Sequence, residues 1–226
     1  MFVENREIQN FNEPLRRDLK NLSATAYVPT PDDPPWSSGA AFLVWLASVA
    51  FILIFPSIAI VGYLAASGLT FTDQAQLVEI LKNDINASLV QILAILPAHL
   101  FTLLLAWAVV TRFNRFSFRE TLGWQFNNFR VWHIIILLVP IFILAGALTA
   151  YFGEQDNEML KILRSSYSAR LLVAIMATLT APIVEEVIYR GVLYSALQRT
   201  VGVSTAVFLV TLLFAVVHVP QYLPDF

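Results

Sequence analysis

Two glutamates and an arginine stand together in TAPIVEEVIYRGVLY, Thr180 to Tyr194, and a histidine stands in FAVVHVPQY. Both stretches are otherwise apolar enough to lie inside a bilayer. A charge at the centre of a helical span costs about 2.5–3.5 kcal/mol on insertion scales, so Glu185, Glu186, Arg190 and His218 need a reason to be there. Glu186 and Arg190 are four apart and suit an ion pair along one helix face, which offsets part of the cost for two of them. Glu185 is left over. Adjacent helical positions point about 100° apart, so one glutamate suits a structural role while the other faces a cavity. A buried charge network that only pins helix packing is the chemically silent alternative.

The spacing also suggests a meeting point. With a tight turn near Gly202, Glu186 and His218 lie about 22 and 25 Å from it at 1.5 Å per residue, nearly the same depth. Arg190 and Phe214 come out level by the same count. A carboxylate and an imidazole at one depth in a wet cavity can activate water in two ways. The carboxylate can act directly as a general base, or both side chains can bind a zinc ion that acidifies its water. Either route leads to attack on a carbonyl.

These residues must be positioned by helices that cross a membrane. The chain is 58% hydrophobic and 13% charged, against about 25% charged in ordinary soluble domains, and its mean hydropathy is +0.68. Roughly 20 apolar residues span a bilayer core, and the chain supplies such runs near 40–66, 88–111, 131–152, 169–198 and 202–219. The expectation is an all-α polytopic transmembrane bundle of about five spans, occupying 39–226. Pro56, Pro97, Pro140 and Pro182 fall inside spans, where kinks free carbonyls that neighbouring helices must satisfy. Pro182 in particular predicts a local helix start just before the glutamates, with its partial positive charge beside the carboxylates.

Residues 1–38 hold four basic and six acidic residues and the proline-bearing VPTPDDPPW, with no apolar core of the kind a cleaved signal peptide needs. They read as a largely disordered cytoplasmic tail. Only Lys82 lies between spans one and two, while Arg112, Arg115, Arg119 and Arg130 lie between spans two and three, which places the amino terminus in the cytoplasm by the positive-inside rule. The stretch RFNRFSFRETLGWQFNNFR interleaves aromatics with those arginines, as a segment lying in the headgroup layer does; a solvated loop with an aromatic belt fits equally. The net charge of −2 with no basic stripe excludes nucleic acid as a partner. Having no cysteine, the chain has no disulfides, thiolate metal sites or cysteine nucleophile.

The pair of elements EEVIYR and FAVVH, an EExxxR pattern followed by FxxxH on the next span, resembles the first two signature motifs of the CAAX protease and bacteriocin-processing family, also called CPBP or Abi. The resemblance covers about 182–222, with a CPBP-like core from about 169. It implies an intramembrane endopeptidase of the bacterial cell membrane that cleaves a membrane-associated protein or peptide; eukaryotic relatives trim the last three residues from prenylated CAAX proteins. Carried over residue by residue, it implies that Glu185 activates water, Glu186 is its motif partner, Arg190 supports the site and His218 is the first histidine, with Phe214 a packing position. It leaves open whether zinc or another divalent metal, held by Glu185 and His218, takes part, or the glutamate and histidines act alone. The family's third motif, histidine followed four residues later by Asn or Asp, belongs on a later span. The sequence ends at HVPQYLPDF, and His99 and His133 precede EEVIYR, so a fragment of a longer protein is expected in preference to a shortened, inactive member.

Two other readings use the same residues: a non-proteolytic membrane partner or immunity protein that retains the motifs, and a proton-coupled transporter relaying through Glu and His. The second does not explain the order EExxxR then FxxxH. HExxH and paired Glu-x-x-His elements are absent, which removes familiar zinc proteases and di-iron bundles. His99 is expected to satisfy a carbonyl freed at Pro97, His133 to anchor a span at the interface, and Gln91 and Thr102 to bond between helices. Substrate identity and oligomeric state carry no signature in the sequence.

Overall fold

The computed structural model describes residues 27–70, 73–124, 131–153 and 158–219. The helices are α1 (Ser38–Ser67), α2 (Gln74–Asn83), α3 (Ile85–Thr111), α4 (Phe118–Thr121), α5 (Val131–Phe152), α6 (Glu158–Ser165), α7 (Tyr167–Val201) and α8 (Val203–His218). Helices α1, α3, α5 and α7 are long and apolar enough to cross a membrane, and α8 is a shorter apolar helix. The five expected spans are these five helices, and the protein is an all-α integral membrane bundle.

Helices α1 and α3 begin and end where local chemistry dictates. Ser37 caps α1 by accepting the Ala40 N–H at 3.2 Å, and Gly68 ends it at φ 68°. Asp84 caps α3 through the N–H groups of Asn86 and Ala87, and its other oxygen accepts the Tyr63 hydroxyl at 2.6 Å. At the far end of α3, Arg112, Phe113 and Asn114 all have positive φ. The left-handed region costs non-glycine residues about 1–2 kcal/mol each. The turn is held by the Arg115 and Phe116 N–H groups on the Thr111 carbonyl and the Asn114 N–H on the Thr111 hydroxyl. Residues 125–130 of the aromatic and arginine segment lie outside the described ones.

Lipid tails are as apolar as leucine, so helices in a bilayer associate by close approach of small side chains. Ala87, Ala94, Ala98, Thr102 and Ala106 form one buried face of α3, packed on α1. The Thr102 hydroxyl finds no partner there among the described residues, where an interhelical bond was expected. The core then passes from Val44 and Trp45 of α1 through Val110 of α3 to Val184, Val187, Ile188, Val192 and Leu193 of α7. Among the described residues, none of α5 from Trp132 to Phe152 is buried.

Residues 27–37, the end of the expected tail, form a strap across the end of this core; residues 1–26 lie outside the described ones. The Trp36 indole is buried and donates to the Val192 carbonyl at 3.0 Å. Ser38 donates to the Ala196 carbonyl at 3.0 Å. Arg199 reaches Asp33 at 2.9 Å and the carbonyls of Pro34 and Trp36, and Gln198 bonds Pro31 and Asp32.

Candidate active site

Helix α7 runs unbroken past Pro182. The helix start expected there does not occur. Instead the backbone widens to π-helical turns over Met176–Thr180 and again over Glu186–Tyr194, with five α-helical residues, Ala181–Glu185, between them. The Ala181 N–H bonds back five residues to Met176. A wider turn absorbs the proline's missing donor without ending the helix, so no helix dipole points at the carboxylates. Isolated wide turns of this kind gather at functional sites, and here they flank the glutamate pair.

The structure brings Glu185 and His218 together and sends Glu186 and Arg190 elsewhere. Gly202, at φ 81°, is the whole connection between α7 and α8, and the antiparallel hairpin puts Glu185 Oε1 3.9 Å from His218 Nε2. Both side chains are about one-third exposed, at 38% and 30%, so they border accessible space rather than a sealed core. Glu186 and Arg190 pair at 3.2 Å on an exposed face. The adjacent glutamates therefore diverge as a 100° step demands.

The histidine's second nitrogen sets its chemistry. Nδ1 lies 2.7 Å from the Phe214 carbonyl, which can only accept, so Nδ1 carries the proton and the neutral ring presents a lone pair at Nε2 towards Glu185. The ring also stacks on Phe214 at 4.3 Å. Phe214 in turn meets the edge of Tyr189 at 5.1 Å, and the Tyr189 hydroxyl accepts the Trp45 indole N–H at 3.2 Å. Sequence reasoning missed Tyr189 and Trp45. The only signal available was that Tyr189 follows Glu185 by one helical turn.

The remaining histidines stay apart from this cluster. His99 Nδ1 lies 3.1 Å from the Thr180 hydroxyl, a side-chain partner on α7 rather than the expected freed carbonyl. His133 packs against its neighbour Trp132 at 5.2 Å.

A catalytic zinc takes three protein ligands and keeps one position open. Glu185 and His218 fit two of the three, and among the described residues no group of three or more His, Cys, Asp or Glu converges. The described residues do not complete a zinc site. What the pair can do unaided is hold a water. An oxygen making hydrogen bonds of about 2.8 Å to both atoms would subtend roughly 90° between them, a comfortable angle for a two-coordinate water.

Comparison with protein-family models matches residues 167–226 to the family described as type II CAAX prenyl endopeptidase Rce1-like. The match covers α7 and α8, the two helices that carry the site, and agrees with the CPBP resemblance of EEVIYR and FAVVH. No curated protein and no solved structure matches the chain.

Proposed function

We propose that the protein is an intramembrane endopeptidase of the CPBP type that hydrolyses a peptide bond in a membrane-associated protein or peptide. The observation that carries this is the meeting of Glu185 and His218 at 3.9 Å across the α7–α8 hairpin, inside the region that matches the endopeptidase family. The water sits between Glu185 Oε1 and His218 Nε2. Nε2 accepts one of its hydrogens and so aims the oxygen lone pair. Glu185 removes the other proton as the oxygen attacks the scissile carbonyl, then returns that proton to the leaving amine as the tetrahedral intermediate collapses. Glu186 and Arg190, paired on the exposed face of α7, hold the wide turn that presents Glu185. If a divalent ion takes part, Glu185 and His218 would hold it and it would supply Lewis acidity; retention of activity after exhaustive chelation would favour the carboxylate route.

The substrate reaches the site within the bilayer; the arginine distribution supports a cytoplasmic side for the amino-terminal end of α1, and the CPBP resemblance supports a bacterial cell membrane. The test is cleavage of a membrane-bound reporter peptide by the full-length gene product in membranes. Glu185→Gln and His218→Ala should each lower turnover by at least about a hundredfold, the range lost with a general base, at unchanged expression. Wild-type-like processing by either variant overturns the assignment. Full membrane insertion and partner capture by inactive wild type would instead support the non-proteolytic immunity or partner role.

A further inference from the structure

Where α1 begins and α3 ends, an open groove of about 560 Å³ lies between the strap, the two helices and the left-handed turn. Its floor is apolar, with Ala40 and Ala108 from facing helices and the buried Trp36 at one side. Its rim is cationic: Arg112 and Arg115 line it, and among the described residues no carboxylate does. Arg112 donates through Nε and Nη2 to the Pro35 carbonyl, a neutral acceptor, and makes no ion pair among the described residues. The exposed side chain of Arg115 has no ion pair or hydrogen bond among the described residues. The turn holds Arg115 in place, since its own N–H bonds the Thr111 carbonyl at 2.7 Å. Below the groove, Leu43 and Leu104 continue the faces of Ala40 and Ala108, three and four residues along, and are 65% and 51% exposed. Positive charge therefore sits at the end of two spans, with exposed leucines of both spans next in line below it.

We propose that this groove binds an anionic phospholipid, with Arg112 and Arg115 on its phosphate and an acyl chain lying along Ala40 and Ala108. Planar guanidinium groups pair with phosphate oxygens in two-point fashion, and basic pockets between membrane helices take anionic headgroups. The charge of the rim selects an anion. The furrow beneath it selects one that carries a hydrocarbon chain.

The test is native mass spectrometry of the full chain purified in detergent and mixed with phosphatidylglycerol, phosphatidylcholine or inorganic phosphate. Wild type should retain one phosphatidylglycerol in preference to phosphatidylcholine, and inorganic phosphate should not displace it. Arg115→Gln should weaken retention about fivefold, as expected for one arginine at an anionic surface. Arg112→Gln with Arg115→Gln should abolish it, while Arg170→Gln, on the first turn of α7, should behave as wild type. Arg115 carries the test because it is exposed and holds no other element, whereas Arg112 also anchors Pro35. Unchanged retention by Arg115→Gln, an equal loss with Arg170→Gln, or displacement by inorganic phosphate would each overturn the proposal.

Discussion

The His218 ring is held by contacts that involve no formal charge: a carbonyl at Nδ1, the Phe214 face, and behind that the Tyr189 edge fixed by Trp45. A general acid or base works only when its lone pair is aimed, and misplacement by an ångström can cost a hundredfold. Tyr189→Phe keeps the ring and loses the hydroxyl, leaving the Trp45 N–H unpaired at about 1–3 kcal/mol of stability. Turnover should fall only a few-fold with KM unchanged. Tyr189→Leu removes the edge that backs Phe214 and should reduce kcat much further, again without raising KM; a rise in KM alone, measured by steady-state kinetics, would show that Tyr189 contacts substrate instead. At this scale the sequence was legible where polarity broke an apolar run, as at Glu185 and His218. Tyr189 was not, because an aromatic inside a span reads as core, and its partner Trp45 lies 144 residues away.

Among the elements, hydropathy located the four spanning helices and the shorter α8 to within a few residues, since burial in hydrocarbon forces long uninterrupted apolar runs. It could not show how α7 passes Pro182. A missing N–H can be met by breaking the helix or by widening it, and residue types alone do not choose between the two. The opposite case is the start of α3, where one side chain does several jobs. Asp84 accepts the Tyr63 hydroxyl, which chiefly holds its carboxyl below the ordinary value of 3.8; partial burial opposes this, and the N–H groups of Asn86 and Ala87 reinforce it. A carboxyl depressed in the folded state contributes stability above its unfolded value and loses it as pH falls through the folded one. Thermal melts of wild type and Asp84→Asn should therefore differ at pH 7, wild type melting higher, and converge as pH drops below about 3.8. A constant difference down to pH 3 would mean that the cap acts by shape rather than charge.

For the whole molecule, the decisive contact is the strap of residues 27–37 across α7, whose composition of prolines and acids reads as a disordered tail. Nothing in that composition reveals that Arg199, 166 residues later, will collect Asp33 and the carbonyls of Pro34 and Trp36. Its ion pair is partly exposed and contributes little alone, but bonds from a charged donor to carbonyls are worth about 1.5–3 kcal/mol each. Arg199→Ala should raise amide hydrogen exchange across 27–37 by at least about tenfold, while exchange within α8 stays unchanged. Exchange equal to wild type would mean that the buried Trp36 indole, Gln198 and Arg112 hold the strap without it. The same geography sets an order in time. Glu185 and His218 meet through a hairpin closed by one glycine, so they can find each other as soon as α8 is made. Trp36 must close on Val192 across 156 residues. On refolding of the whole chain, Glu185 and His218 thus meet by a short, fast closure and the strap fastens by a slow, long one. A chain caught between the two closures on refolding would hold Glu185 beside His218 on a bundle whose strap is still open.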